Sequence, residues 1–326
     1  MIERDKASYG RFVWNRHPSL VRTAFFLLSC LLFLVVAWVL GMLLLSLTKR
    51  SDPTIPVCVR KKNGCRLSCL LVWAVGASLL FGCRTEYRED LDYSHKVLQT
   101  WKIEEIEEGV FVQFEDVFWE ADDTTSLRKM IALDLIVDGK SVLEIGTGSG
   151  VLSIIALKSD AKRVVATDIN PAAVANAKYN AAMLVPDRTL DVRQVSQKRP
   201  GAFEVIGESE AFDIILSNPP WEDGVVAKPL DHAFYDPQFY LMETLLDGLP
   251  LHLKPGGRCL LAYGHRPAIE RLQDQCKERG FAFKILDRRN LDDLKKDFLP
   301  GMVVEIRVPM AVRELETESD ISDAEK

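Results

Sequence analysis

Hydrophobic and polar positions follow two different patterns in this chain. From residue 141 onward, short apolar or β-branched runs alternate with stretches of helical spacing. Ser141–Ile145, Arg163–Asp168, Thr189–Val195, Phe212–Ser217, Gly257–Gly264, Phe281–Leu286 and Met302–Val308 read as strands. Gly150–Leu157, Pro171–Ala182, Pro237–Leu253 and Ala268–Arg279 read as helices, and Pro171 suits a first helical turn, where its missing N–H costs nothing. This alternation predicts an α/β fold with a doubly wound sheet. Residues 311–326 are acidic and without apolar periodicity, which predicts a disordered tail.

Upstream the pattern changes. Ala24–Leu47 carries no charge and is built almost entirely of large apolar residues. As a helix it would reach about 36 Å, enough to cross a bilayer with some tilt. A transmembrane helix is expected there. Leu67–Cys83 is 17 residues long, contains Ser68, Gly76, Ser78 and Gly82, and follows Arg60, Lys61, Lys62 and Arg66. It reads either as a short second span or as a secretory signal whose end resembles a lipoprotein cleavage box at Cys83. Five basic residues precede the first segment and six separate it from the second, so loop charge leaves the orientation open.

Composition sharpens this division. Residues 1–90 hold 13 Lys/Arg against 6 Asp/Glu, and the remainder 28 against 41, so a basic front end joins an acidic body. The expected organisation is a membrane-anchoring region over 1–90, a catalytic body over 91–310 and the tail. Nineteen Gly, 15 Pro and 7 Cys exclude collagen-like and disulfide-scaffold chains. Five of those cysteines lie in the front end at no zinc-like spacing; Cys259 and Cys276 fall in the body and read as small packed residues. Nothing in the pattern calls for a metal.

The chemistry begins at Val142-Leu143-Glu144-Ile145-Gly146-Thr147-Gly148-Ser149-Gly150, a strand running into a glycine turn and a helix. Glycines allow a tight turn and a close backbone approach to a ligand. A dinucleotide fingerprint would need glycine at 151, where Val151 stands, and this disfavours a nicotinamide-dependent oxidoreductase. The segment instead resembles the first motif of class I S-adenosylmethionine (SAM) methyltransferases. The next strand, Val164–Asp168, ends on a carboxylate eighteen residues after Gly150. Such a carboxylate can accept both hydroxyls of a ribose, or it can serve the following helix as a cap-region residue. In that family a polar residue after the third strand meets the adenine; here Gln194 or Ser196 stands there.

A further strand runs directly into Asn218-Pro219-Pro220-Trp221. This tetrapeptide resembles the Asn-Pro-Pro-aromatic motif of the amino-group methyltransferases, which include release-factor glutamine, rRNA guanine and DNA adenine enzymes. Upstream, Asp123-Thr124 loosely resembles an acidic-Thr element that such enzymes place before the first motif. The resemblance covers residues 109–309 and implies a Rossmann-like fold, SAM as cofactor and a protein or RNA substrate. An amide nitrogen is a poor nucleophile because its lone pair is delocalised. The Asn218 side-chain oxygen and the Pro219 carbonyl can each accept one N–H and align the nitrogen without a strong base. Trp221 would offer a flat face for stacking.

The expected cofactor residues are therefore Glu144, Gly146, Thr147, Gly148, Gly150, Asp168 and Gln194, and the expected catalytic residues are Asn218, Pro219 and Trp221. His232, Tyr235 and Asp236 fall in the loop where substrate is usually selected. Glu222 and Asp223 either meet a cationic substrate or form a solvated pair. Three readings compete: a membrane-tethered N-methyltransferase facing the cytoplasm, where SAM is supplied; a SAM-binding module without turnover; and an extracytoplasmic lipoprotein with a methyltransferase-like fold. The acidic body gives no general attraction for phosphate backbones, which favours a protein amide, or a nucleic acid gripped by a local patch.

Overall fold

The computed structural model describes residues 88–119, 122–310 and 312. The two apolar front segments and the expected disordered tail therefore lie outside the described residues, apart from Val312. Among the described residues no helix is long and apolar enough to cross a membrane.

Among the described residues nine strands and five α-helices follow one another: β1 Val97–Trp101, β2 Phe111–Phe114, α1 Thr125–Leu133, β3 Ser141–Ile145, α2 Val151–Lys158, β4 Arg163–Asp168, α3 Pro171–Leu184, β5 Leu190–Gln194, β6 Phe212–Ser217, α4 Tyr240–His252, β7 Leu253–His265, α5 Arg266–Glu278, β8 Ala282–Ile285 and β9 Asp297–Arg307. Seven strands make one sheet in the order β5-β4-β3-β6-β7-β9-β8. The first five run parallel, and β9 inserts antiparallel between β7 and β8. Strands covered on both faces read as nearly unbroken apolar runs, and Ile214–Leu216 and Leu260–Ala262 are buried accordingly. On one face α4 and α5 contribute Leu245, Ile269 and Leu272 to the core. On the other, α1, α2 and α3 contribute Leu127, Ile155 and Leu184 beside Phe111 of β2. Cys259 and Cys276 are free thiols buried in the first of these cores.

The β1–β2 hairpin and α1 precede every element that the apolar pattern marks out in the body. The hairpin is held by α3 through side chains. Asn176 Oδ1 accepts from Phe114 N and Asn180 Oδ1 from Val112 N, while both amide nitrogens donate to Val112 O. Two asparagines thus replace the neighbouring strand that β2 would otherwise need on this edge.

The helix expected over Pro237–Leu253 begins later. Pro237–Phe239 forms a 3₁₀ turn with Gln238 and Phe239 in the left-handed region, and α4 starts at Tyr240. The Asp236 carboxylate sets this start by accepting from Leu241 N (2.8 Å) and Met242 N (3.0 Å), two of the donors a helix N-terminus leaves unpaired.

Candidate active site

In an open α/β sheet a ligand crevice forms where neighbouring crossovers leave in opposite directions, beyond the carboxyl ends of the strands. Here that place lies between β3 and β6. A cavity of about 510 Å3 opens there, within the range of small-molecule sites. Its lining includes Ile145–Gly146 after β3, Thr167–Asn170 after β4, Val195 after β5 and Ser217–Pro220 after β6.

The glycine turn is braced from behind. Glu144 is 1% exposed and faces away from the cavity. One carboxylate oxygen accepts from the Thr147 hydroxyl at 2.7 Å, from Ser153 N at 3.0 Å and from the Ser153 hydroxyl. Burial raises its pKa to about 7, against the pull of those donors. Gly146 has a positive φ, and a Cβ there would meet nothing within 4 Å, so bare backbone borders open space. Gly150 begins α2 with φ +88°, and a Cβ there would come within 3.1 Å of Ala177 on α3. Glycine at 150 therefore serves helix packing. Asp168 does line the cavity. Its two oxygens accept from Gly148 N and Asn170 N, both at 2.8 Å, and burial raises its pKa to about 6.

On the other side Ser217 anchors the end of β6 by donating to Ile145 O at 2.6 Å. Asn218, Pro219 and Pro220 follow directly into the cavity wall. The Asn218 Oδ1 atom is buried and has no hydrogen-bond partner among the described residues. Other buried side-chain atoms, Ser149 Oγ and Trp221 Nε1 among them, also lack a partner among the described residues, but Asn218 is the one of these three that lines the cavity, which makes its oxygen a candidate acceptor for a bound donor. His232, Tyr235 and Asp236 line the same cavity, as do Phe118 and Tyr240. Burial holds the His232 imidazole below its ordinary pKa, with Asp231 opposing the shift.

The expected residues thus separate into three groups. Gly146, Gly148, Asp168, Asn218 and Pro219 come together at one cavity, while Glu144, Thr147 and Gly150 stand behind it and shape the turn. Gln194, Ser196 and Trp221 are elsewhere. Gln194 and Ser196 are exposed, and Val195 between them supplies the wall, because alternate residues of an extended segment face opposite sides. Trp221 turns away from the cavity. Its ring lies over Gly264, where a Cβ would sit 2.6 Å from the indole, and it lines a separate cleft with Glu222, Asp223 and His265. A stacking platform for substrate at Trp221 is therefore replaced by packing. Asp123 and Thr124 precede α1 and do not line the cavity either. Phe118 and the turn Lys198–Ala202 complete its wall with no catalytic residue pattern to announce them.

Comparison with known proteins places the chain among methyltransferase relatives. The family model for ribosomal protein L11 methyltransferase (PrmA) matches residues 122–230. A Methanocaldococcus jannaschii protein, provisionally named a protein N5-glutamine methyltransferase, is 32% identical over 195 residues, covering 58% of this chain and 90% of its own length. The release factor glutamine methyltransferase of Cereibacter sphaeroides is 34% identical over 136 residues, and the chain spans 46% of that protein. Among solved structures, ribosomal protein L11 methylase from Lactobacillus delbrueckii subsp. bulgaricus aligns with a TM-score of 0.39 and 24% identity over 56% of this chain and 75% of that one. The chain belongs to the SAM-dependent N-methyltransferases of the Asn-Pro-Pro-aromatic group, the family that includes the protein N5-glutamine methyltransferases.

Proposed function

We propose that this chain methylates the side-chain amide of a protein glutamine, and that its front end holds the enzyme at a membrane. The observation that carries the amide reading is the orphaned Asn218 Oδ1 at the sheet's switch point. The residues also fit SAM: bare backbone at Gly146 faces open space, and the buried Asp168 carboxylate borders the same cavity as an acceptor for ribose hydroxyls. When bound, SAM supplies an electrophilic methyl group. Everything else falls to the chain. Asn218 Oδ1 and the Pro219 carbonyl each accept one N–H of the substrate amide, fixing the nitrogen and favouring its pyramidal form. Two consecutive prolines stiffen the backbone that presents them. Phe118, Pro229 and Leu230 give the cavity apolar wall beside these acceptors.

Two relatives bear glutamine methyltransferase names, and the described body lies in the acidic part of the chain. Both favour a protein amide over a nucleic-acid base. The test uses full-length protein with tritiated SAM and fractionated cellular protein and RNA. Label in protein that is released as methylamine on acid hydrolysis is the expected result; label confined to RNA would overturn the glutamine reading. For the front end, the expected result is full-length protein in the membrane fraction after alkaline wash, with residues 88–312 alone binding SAM in solution. The body should also be protected from protease added outside intact cells, as a cytoplasmic orientation requires.

A further inference from the structure

We propose that His232 is the proton acceptor of the methyl transfer, taking the proton that the substrate nitrogen sheds. The inference rests on reading the cavity as an N-methyl transfer site. In the transfer a nitrogen–carbon bond forms and the methyl carbon–sulfur bond breaks, its electron pair remaining on sulfur. An NH2 nitrogen is then left with a positive charge and one proton too many. Asn218 and Pro219 can hold N–H groups, but a neutral amide oxygen is not a base that carries a proton away at pH 7.

The other polar groups of the cavity are committed elsewhere or offer no basic nitrogen. Asp168 stands on the cofactor side, held by Gly148 N and Asn170 N, and Asp236 is buried with its two oxygens fixing the start of α4 through Leu241 N and Met242 N. Lys198 and Arg199 present donors only, and Tyr235 and Tyr240 present hydroxyls. His232 differs from all of these. It sits on the 3₁₀ turn Pro229–Ala233, half-buried in the cavity wall, with no hydrogen-bond or ion-pair partner among the described residues. Its neighbour Asp231 is fixed in place by Ala227 N and Lys228 N, both at 3.0 Å. A fixed carboxylate beside an unpartnered imidazole favours the imidazolium that proton transfer creates. Burial meanwhile holds the imidazole below its ordinary pKa, which favours the neutral form that can accept a proton. After each turnover the imidazolium passes its proton to water.

Two measurements test this. The first needs no acceptor substrate: the His232 imidazole is titrated by NMR in the whole protein, its resonance assigned with His232→Gln, with and without SAM. The expected midpoint lies below 6.5 and falls further with SAM, because the sulfonium charge opposes an imidazolium nearby. A midpoint that SAM does not move overturns the proposal. The second is the pH dependence of turnover with tritiated SAM and cellular protein fractions. Wild type should lose activity on the acid side at the midpoint seen by NMR. His232→Gln should lower kcat at least about tenfold and remove that limb, while SAM affinity stays within about twofold. A variant that keeps its kcat, that changes KM alone or that keeps the acid limb overturns the proposal. A wild type that labels no protein overturns the glutamine reading itself, whichever way the NMR titration falls.

Discussion

On the glycine-turn side of the cavity both buried carboxylates already hold their donors: Glu144 has Thr147 and Ser153, and Asp168 has Gly148 and Asn170. On the Asn-Pro-Pro side, among the described residues, Asn218 Oδ1 is buried with no donor and His232 lines the cavity with no hydrogen-bond or ion-pair partner. On the proposed function a cofactor-binding wall keeps one shape through every turnover, so its carboxylates can be held by donors within the protein. A wall that grips a reacting nitrogen must keep its acceptors free until the substrate comes. An unsatisfied buried acceptor costs about 1–3 kcal/mol, a cost that a substrate N–H relieves.

Substitutions can break this contrast, and the largest effect is expected at Asn218. Asn218→Ala should lower turnover by at least about a hundredfold, the usual scale for losing one positioned polar group, with SAM affinity nearly unchanged by calorimetry. Equal losses in SAM binding and turnover would erase the distinction between the two walls. Next comes the brace behind the turn. Glu144→Ala leaves two hydroxyls and one backbone N–H without their acceptor and should destabilise the protein by roughly 2 kcal/mol, read by urea melts. Asp168→Ala should weaken SAM binding at least about tenfold, with turnover largely restored at saturating SAM.

Smaller effects sharpen the same picture through pH. Asp168 and Glu144 are held well above their ordinary pKa by burial, at about 6 and about 7. Between pH 4 and 7 the folded state therefore binds more protons than the unfolded chain, and stability falls as pH rises through that window. The unliganded protein should melt a few degrees higher at pH 5.5 than at pH 7.5. SAM affinity should run the other way, dropping about three- to fivefold over the same interval as Asp168 takes up its proton. Smallest of all, Trp221→Phe should leave turnover within about twofold, because the ring packs over Gly264 outside the cavity.

Much of this was legible in the sequence wherever chemistry and backbone constrain the same residue. Arg163–Asp168 and Phe212–Ser217 are bounded in the structure as their apolar runs indicate, since parallel strands buried on both faces leave little room for other patterns. Asn218 and Asp168 could be found because each must stand at the end of a strand. Glu144 was visible as a residue but not in its role, because only tertiary contacts reveal that its carboxylate points behind the turn. Trp221 shows the reverse failure: an aromatic beside a motif suggests stacking, yet a glycine 43 positions downstream decides where the ring goes. The β1–β2 hairpin was invisible since its pairing partner is a pair of helix side chains, and no local periodicity marks those.

Those side chains have one more consequence. Asn180 donates to Ser149 O in the glycine turn at 2.9 Å as well as to Val112 O in the hairpin. Any fluctuation that lifts β2 from α3 must also release the turn, so the two segments open as one unit with one opening free energy. In amide hydrogen exchange the protons of Val112 and Phe114 should share a protection factor with those of the turn, and SAM should slow all of them together. The hairpin would then report occupancy of a cavity into which β2 places no side chain.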